Sequence, residues 1–197
     1  MMRSVHAMVA ALSLLYASPG ISATTLTVRD WPEARPCAHC VLMQFGTLEL
    51  RMPAALVGRV YVAPNGPPGM HLLPSPDPRR ALLLFAVSRA EMIGKYGVDS
   101  TSVTAREFFD SLVNVEGYAV ARKAEGVEKA VRYTRTTRGA SADAPGVAAY
   151  LIEARAGETQ TLHIAIDGDD LIYTLAGDIS APVYSAVLSR LRIVPEP

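Results

Sequence analysis

The sequence predicts an α+β fold, an antiparallel sheet with helices packed mainly on one face, and three observations point there. Residues 47–52 alternate: Leu48, Leu50 and Met52 fall on one side and Thr47, Glu49 and Arg51 on the other, the period of a half-buried strand. Leu162, Ile164 and Ile166 alternate with Thr161, His163 and Ala165; Asp167-Gly168-Asp169-Asp170 turns, and Leu171 to Ala176 runs back as the second arm of a hairpin. Thr104-Ala105-Arg106-Glu107 is a capping box, in which the threonine hydroxyl takes the Glu107 amide and the glutamate reaches back. The elements follow one another without strand–helix–strand alternation, which argues against a parallel α/β sheet.

Taken in order, residues 1–23 read as a secretory signal peptide. Arg3 supplies the positive start, Ala7 to Ala17 form a short apolar stretch, and Ile21-Ser22-Ala23 offers a small residue at the cut. The apolar stretch is too short for a bilayer, which needs about 20 residues. Residues 24–197 are expected to form a single globular domain exported to the periplasm. Residues 24–44, with Trp31, Pro32, Pro36 and the chain's two cysteines, read as an irregular arm. Val57 to Ala63 reads as a second strand. Residues 64–78 hold six prolines and are expected to be a long loop, because a proline lacks the backbone donor a central strand needs. Ala81 to Val87 is a continuous apolar run, the pattern of a central strand buried on both faces. Phe108, Phe109, Leu112 and Val113 form the stripe of the capped helix, which is expected to end near 114–117. A second helix is expected over 118–132 with Val120, Ala124, Val127 and Val131 inward, followed by a strand. Val147 to Ala154 is a strand, and Ser180 to Pro182 opens a last helix that buries Val183, Val187, Leu188 and Leu191.

This order of a capped helix, a meander of strands and a closing helix ending in Leu188-Ser189-Arg190-Leu191 is similar to that of Mog1/PsbP-like domains, over roughly residues 45–193. The resemblance implies an α+β scaffold that serves several unrelated binding roles. The proline-rich loop and the cysteine pair depart from that pattern.

Charge narrows the function classes. The chain carries 19 Lys plus Arg and 19 Asp plus Glu; without Arg3 the exported part is left at −1. Nucleic acid and anionic membrane surfaces want a strong positive field, so neither is expected as a partner. No cofactor is expected. The motifs of serine hydrolases, zinc peptidases and phosphate-binding loops are missing, and no catalytic or metal-ligating set is assigned.

Cys37-Ala38-His39-Cys40 is the sharpest local signal. It resembles the Cys-x-His-Cys site of periplasmic disulfide oxidases, where a helix starting at the first cysteine lowers that thiol's pKa. Here Gly46 and strand alternation follow at once, leaving no room for the helix. A structural disulfide that fixes the arm is the expected state; a redox pair, or a metal site with His39 or His71, is the alternative. His163 is expected on the outer face of its strand. Asp167, Asp169 and Asp170 are read as a turn, since their spacing misses the calcium-loop pattern.

Between Arg122 and Arg138 lie six basic residues against Glu125 and Glu128, a local positive face in a near-neutral chain. With the proline-rich loop it makes the expected docking surface: Met70, His71 and Leu72 from the loop, and Arg122, Lys123, Lys129, Arg132, Tyr133 and Arg135 from the basic run. The expected function is that of a non-enzymatic periplasmic protein-binding protein, an inhibitor or immunity-type protein that sequesters a toxin or hydrolase. The alternatives are a thiol–disulfide or metal-handling protein using Cys37 and Cys40, and an envelope protein that binds a small ligand between sheet and helices.

Overall fold

The computed structural model describes residues 25–34, 36–62, 69–74, 77–113 and 117–194. The expected signal peptide lies outside the described residues, as do residues 64–68, 75 and 76 of the proline-rich stretch.

The fold is α+β with a mostly antiparallel sheet. The hairpin is its centre: β9 (Gln160–Ile166) pairs with β10 (Leu171–Gly177), Thr174 lying opposite His163. β10 also pairs with β6 (Leu82–Ser88), and β9 with β8 (Val147–Glu153), which pairs with β7 (Arg132–Arg138). Beyond β6 come β5 (Gly69–Leu73) and β4 (Arg59–Val62); beyond β7 comes β1 (Leu26–Arg29), the one parallel neighbour in the eight-stranded sheet. A second, three-stranded sheet joins β2 (Cys40–Phe45), β3 (Leu48–Pro53) and β11 (Arg192–Ile193).

Both faces of the large sheet are covered. On the first, Leu162, Ile164 and Leu84 meet Leu48, Leu50 and Met52 of β3 and Val183, Val187 and Leu188 of α5 (Ala181–Ser189). On the second, Tyr133, Tyr150 and Ile172 meet α2 (Arg89–Gly94), α3 (Ala105–Ser111) and α4 (Ala119–Ala124) through Ile93, Phe108, Phe109 and Ala121. Each such side chain taken from water contributes about 1.5–3 kcal/mol, so the two layers hold the sheet between them.

The capping box forms as the sequence predicts. The Thr104 hydroxyl accepts from the Glu107 amide at 3.2 Å, and Glu107 accepts from the Thr104 amide at 2.9 Å. Thr104→Ala is expected to cost about 1 kcal/mol. In a domain of this size that lowers the melting temperature by about 2–4 °C, and a thermal melt of parent and variant checks it.

Several expectations are corrected. The arm is not irregular throughout, because Leu26–Arg29 finds a partner in β7, far away in sequence. Gly58, at φ +60, sits where an added Cβ would stand 2.1 Å from the Leu73 carbonyl oxygen. It turns the chain out of the short α1 (Ala54–Val57), so the strand starts at Arg59. Gly69–Leu73 is a strand between β4 and β6, since the prolines flank this segment and none lies inside it. The helix expected over 118–132 stops at Ala124, because Gly126 adopts a left-handed φ of +78. Val120 and Val131 are consequently exposed, and only Val127 of the expected stripe is fully buried. The helix α2, opened by the Ser88 hydroxyl accepting from the Glu91 amide, had no counterpart in the sequence reading. Finally, β6 is central, but only Leu82 and Leu84 are buried; Leu83, Phe85 and Val87, facing the other way, are half-buried, because the helical layer does not cover them fully.

Candidate binding sites on the two faces of the sheet

Where the helical layer gives out, a cavity of about 250 Å³ opens against β6, β9 and β10. Its polar floor follows from strand alternation. With Leu162 and Ile164 committed to the first core, His163 and Thr161 must face the second, and Thr174 of β10 does the same. The His163 side chain is only 2% exposed, not on an outer face as the sequence suggested. Its Nδ1 lies 3.0 Å from the Thr174 hydroxyl, and the Phe109 ring stacks on it at 4.7 Å.

Glu125 comes down on this histidine from the end of α4, where Gly126 ends the helix. One carboxylate oxygen stands 3.3 Å from His163 Nε2, an ionic distance. The other accepts from the Tyr96 hydroxyl and lies 3.1 Å from Lys95 Nζ. Burial by itself would raise the Glu125 carboxyl, but His163, Tyr96 and Lys95 outweigh it and hold the group down at about 2. Burial and the bond to Glu125 push the Tyr96 phenol up to about 12. Phe85, Val87 and Met92 form the apolar wall.

Threonine, histidine and glutamate in contact resemble a nucleophile with its base and orienting acid. Thr174, however, sits in a strand paired on both sides. Its neighbouring amides are committed to the ladder and cannot serve a developing oxyanion.

A larger concavity, about 710 Å³, lies at the small sheet. Leu48, Leu50 and Met52 take the inward positions of β3, which leaves Arg51 outward, opposite Leu42 of β2. Arg192 of β11, opposite Glu49 of β3, also lines the concavity, and Arg138 and Arg190 complete the set at the ends of β7 and α5. Arg138 donates to the Leu191 carbonyl at 3.0 Å and stacks over Trp31 at 5.0 Å, which fixes its direction; burial pushes its pKa down. Arg51 also meets Glu49 at 3.2 Å. The Cys37–Cys40 disulfide forms one wall, with the cysteine Cα atoms 5.7 Å apart. The chain turns through Ala38 and His39 directly into β2, so no helix starts at Cys37. Among the described residues lining the concavity none is acidic, and no group of three His, Cys, Asp or Glu among the described residues could hold a metal ion.

The expected docking residues do not form one surface. Leu72 is fully buried in the first core, Met70 packs against it, and His71 leans on Tyr61 at 5.9 Å. Arg122 is buried, whereas Lys123 and Lys129 are exposed. Arg132 pairs with Glu153 at 3.2 Å. Tyr133 is fully buried and donates to the Phe109 carbonyl at 2.8 Å; burial raises its pKa. Arg135 pairs with Asp110 at 2.7 Å, and Asp110 also accepts from Tyr150 at 3.0 Å. The basic run divides between elements: Arg122 and Lys123 lie in α4, Lys129 in a helical turn after it, and Arg132, Arg135 and Arg138 in β7, where alternation sends Arg135 to the face opposite the other two.

Sequence reading missed Lys95, Tyr96, Glu125, His163 and Thr174 as a group. A signal was present: the Thr161, His163 and Ala165 side of β9 carries no acidic residue, lysine or arginine, as expected of a covered face rather than a solvated one. No family model matches the chain, and no curated protein matches it.

Proposed function

We propose that the chain is a non-enzymatic exported binding protein that seats an acidic segment of a protein partner in the arginine-lined concavity. The observation that carries this reading is the convergence of Arg51, Arg138, Arg190 and Arg192, from separate elements, on a hollow with no acidic residue among its described lining. Guanidinium groups held in fixed directions suit paired recognition of carboxylates. The chain as a whole is neutral, so the field is local and favours a docked acidic patch over a polyanion. Leu42, 57% exposed beside Arg51, adds an apolar contact at the centre. Within this reading the partner class is a toxin or hydrolase that the protein sequesters, on a Mog1/PsbP-like scaffold. Among the described residues no helix is long and apolar enough to cross a membrane.

The test uses fluorescent peptides of equal length, one rich in glutamate and one neutral, titrated at low and high salt. The glutamate peptide is expected to bind more tightly and to weaken with salt. Arg51→Glu with Arg192→Glu should reduce its affinity by about tenfold or more and remove most of the salt dependence. Equal binding of the two peptides by the parent protein would refute the proposal. Cys37→Ser with Cys40→Ser should leave the preference in place, because the disulfide holds the wall and performs no exchange in this reading.

A further inference from the structure

The cavity on the helical face has a composition that neither the sheet nor the arginine concavity explains. Its apolar lining is Phe85, Val87 and Met92, and charge of both signs shares it: Glu91 and Lys95 from α2 and the turn after it, and Glu125 from the end of α4. A purely structural ion pair needs no hollow beside it.

The hydrogen-bond inventory leaves capacity toward that hollow. An ionised carboxylate has about four acceptor positions. Glu125 uses its oxygens on Tyr96, Lys95 and His163, so one position remains. Lys95 carries three donors, of which Glu125 and the Tyr96 hydroxyl take two, and it lies over the Tyr96 ring at 4.8 Å. The floor is fixed: His163 is clamped by Thr174, Phe109 and Glu125, so the cavity does not close by a side-chain flip. At about 30 Å³ of liquid volume per water, 250 Å³ equals about eight waters, room for a molecule the size of leucine.

We infer that this cavity binds a small zwitterion with an apolar side chain, a free apolar amino acid. The ligand's ammonium meets Glu125 and Glu91, its carboxylate meets Lys95, and its side chain lies on Phe85, Val87 and Met92. Carboxylates and an ammonium in the same lining as an apolar wall match both charges and the side chain of such a ligand, where a singly charged one would use only part of them. The inference does not rest on the arginine concavity, which lies at the small sheet.

Calorimetric titration with leucine, isopentylamine and 4-methylpentanoate tests it, the last two each lacking one charge. Leucine is expected to bind about tenfold or more tightly than either analogue. Lys95→Met should weaken leucine by about tenfold or more, while the amine, which has no carboxylate for Lys95 to meet, loses no affinity. Val87→Trp, which fills the cavity from a half-buried strand position, should abolish leucine binding, with a thermal melt reporting whether each variant is folded. The inference is overturned if leucine shows no saturable binding to the parent, if it binds no better than its analogues, or if Lys95→Met weakens leucine and amine alike.

Discussion

Phe109→Ala is expected to produce the largest loss of stability of any single truncation in the helical layer, about 3–5 kcal/mol. The ring is fully buried. It stacks on His163 at 4.7 Å and on Tyr150 at 5.0 Å, and meets Phe108 edge-on at 5.3 Å. Removing it leaves a void that α3 cannot close, because the Phe109 carbonyl still holds the Tyr133 hydroxyl and Asp110 still holds Arg135 and Tyr150. The lost ring also frees the face of His163, so the cavity floor loosens together with the core. Urea unfolding should show a lower midpoint at unchanged slope. Val120→Ala on the exposed side of α4 should stay within about 0.5 kcal/mol of the parent. A Phe109→Ala midpoint as mild as that would mean the helical layer contributes little to the fold.

The second large effect is on acid stability and comes from Glu125. Its carboxyl falls from 4.5 to about 2 on folding, a difference worth about 3 kcal/mol in order of magnitude. A depressed folded pKa gives stability that is fully present above the unfolded value and is lost as pH falls toward the folded one. The contribution should therefore be complete above about pH 5 and largely gone near pH 2. Glu125→Gln removes it. Parent and variant should differ most near neutrality and converge as the pH drops through that window. Asp99 and Glu107, held low by hydrogen bonds in their own turn and cap, are common to both proteins and cancel in the difference. A difference that stays constant from neutral pH to about 2 would show that Glu125 is not ionised in its buried setting.

The strands and helices that were legible in the sequence are those whose signals are local. β3, β8 and the β9–β10 hairpin announce themselves by alternation or a continuous apolar run, α3 by its capping box, and α5 by an apolar stripe behind a proline. What was not legible depends on partners distant in sequence. Nothing near Leu26–Arg29 marks it as a strand, because its partner is Tyr133–Thr136. Gly69–Leu73 was hidden by prolines that border it without entering it. The helix beyond Ala124 was overextended because one glycine in a left-handed conformation outweighed an apolar spacing that otherwise continued. The sites were less legible still. Lys95 and Glu125 lie in turns after short helices, and only the chain's path over the sheet brings them to His163. Arg51, Arg138 and Arg192 give no common pattern in sequence, whereas the six basic residues that did give one were divided between α4, the turn after it and β7.

The sheet pairings also set the order in which the protein can assemble. Leu26 lies beside Tyr133, and Ile193 beside Leu48, so both ends of the described chain are sewn into strands more than about a hundred residues away. Such contacts close large loops and form late. The hairpin β9–β10, with its short turn, is the natural early nucleus, and the small sheet is completed only when the strand Arg192–Ile193 arrives. The arginine concavity is thus among the last features to take shape, since Arg192 belongs to that final strand. A folding chain would therefore acquire a stable core before the arginine concavity took shape. Under the proposed function, the slowest phase of refolding should be the one in which affinity for the glutamate-rich peptide appears.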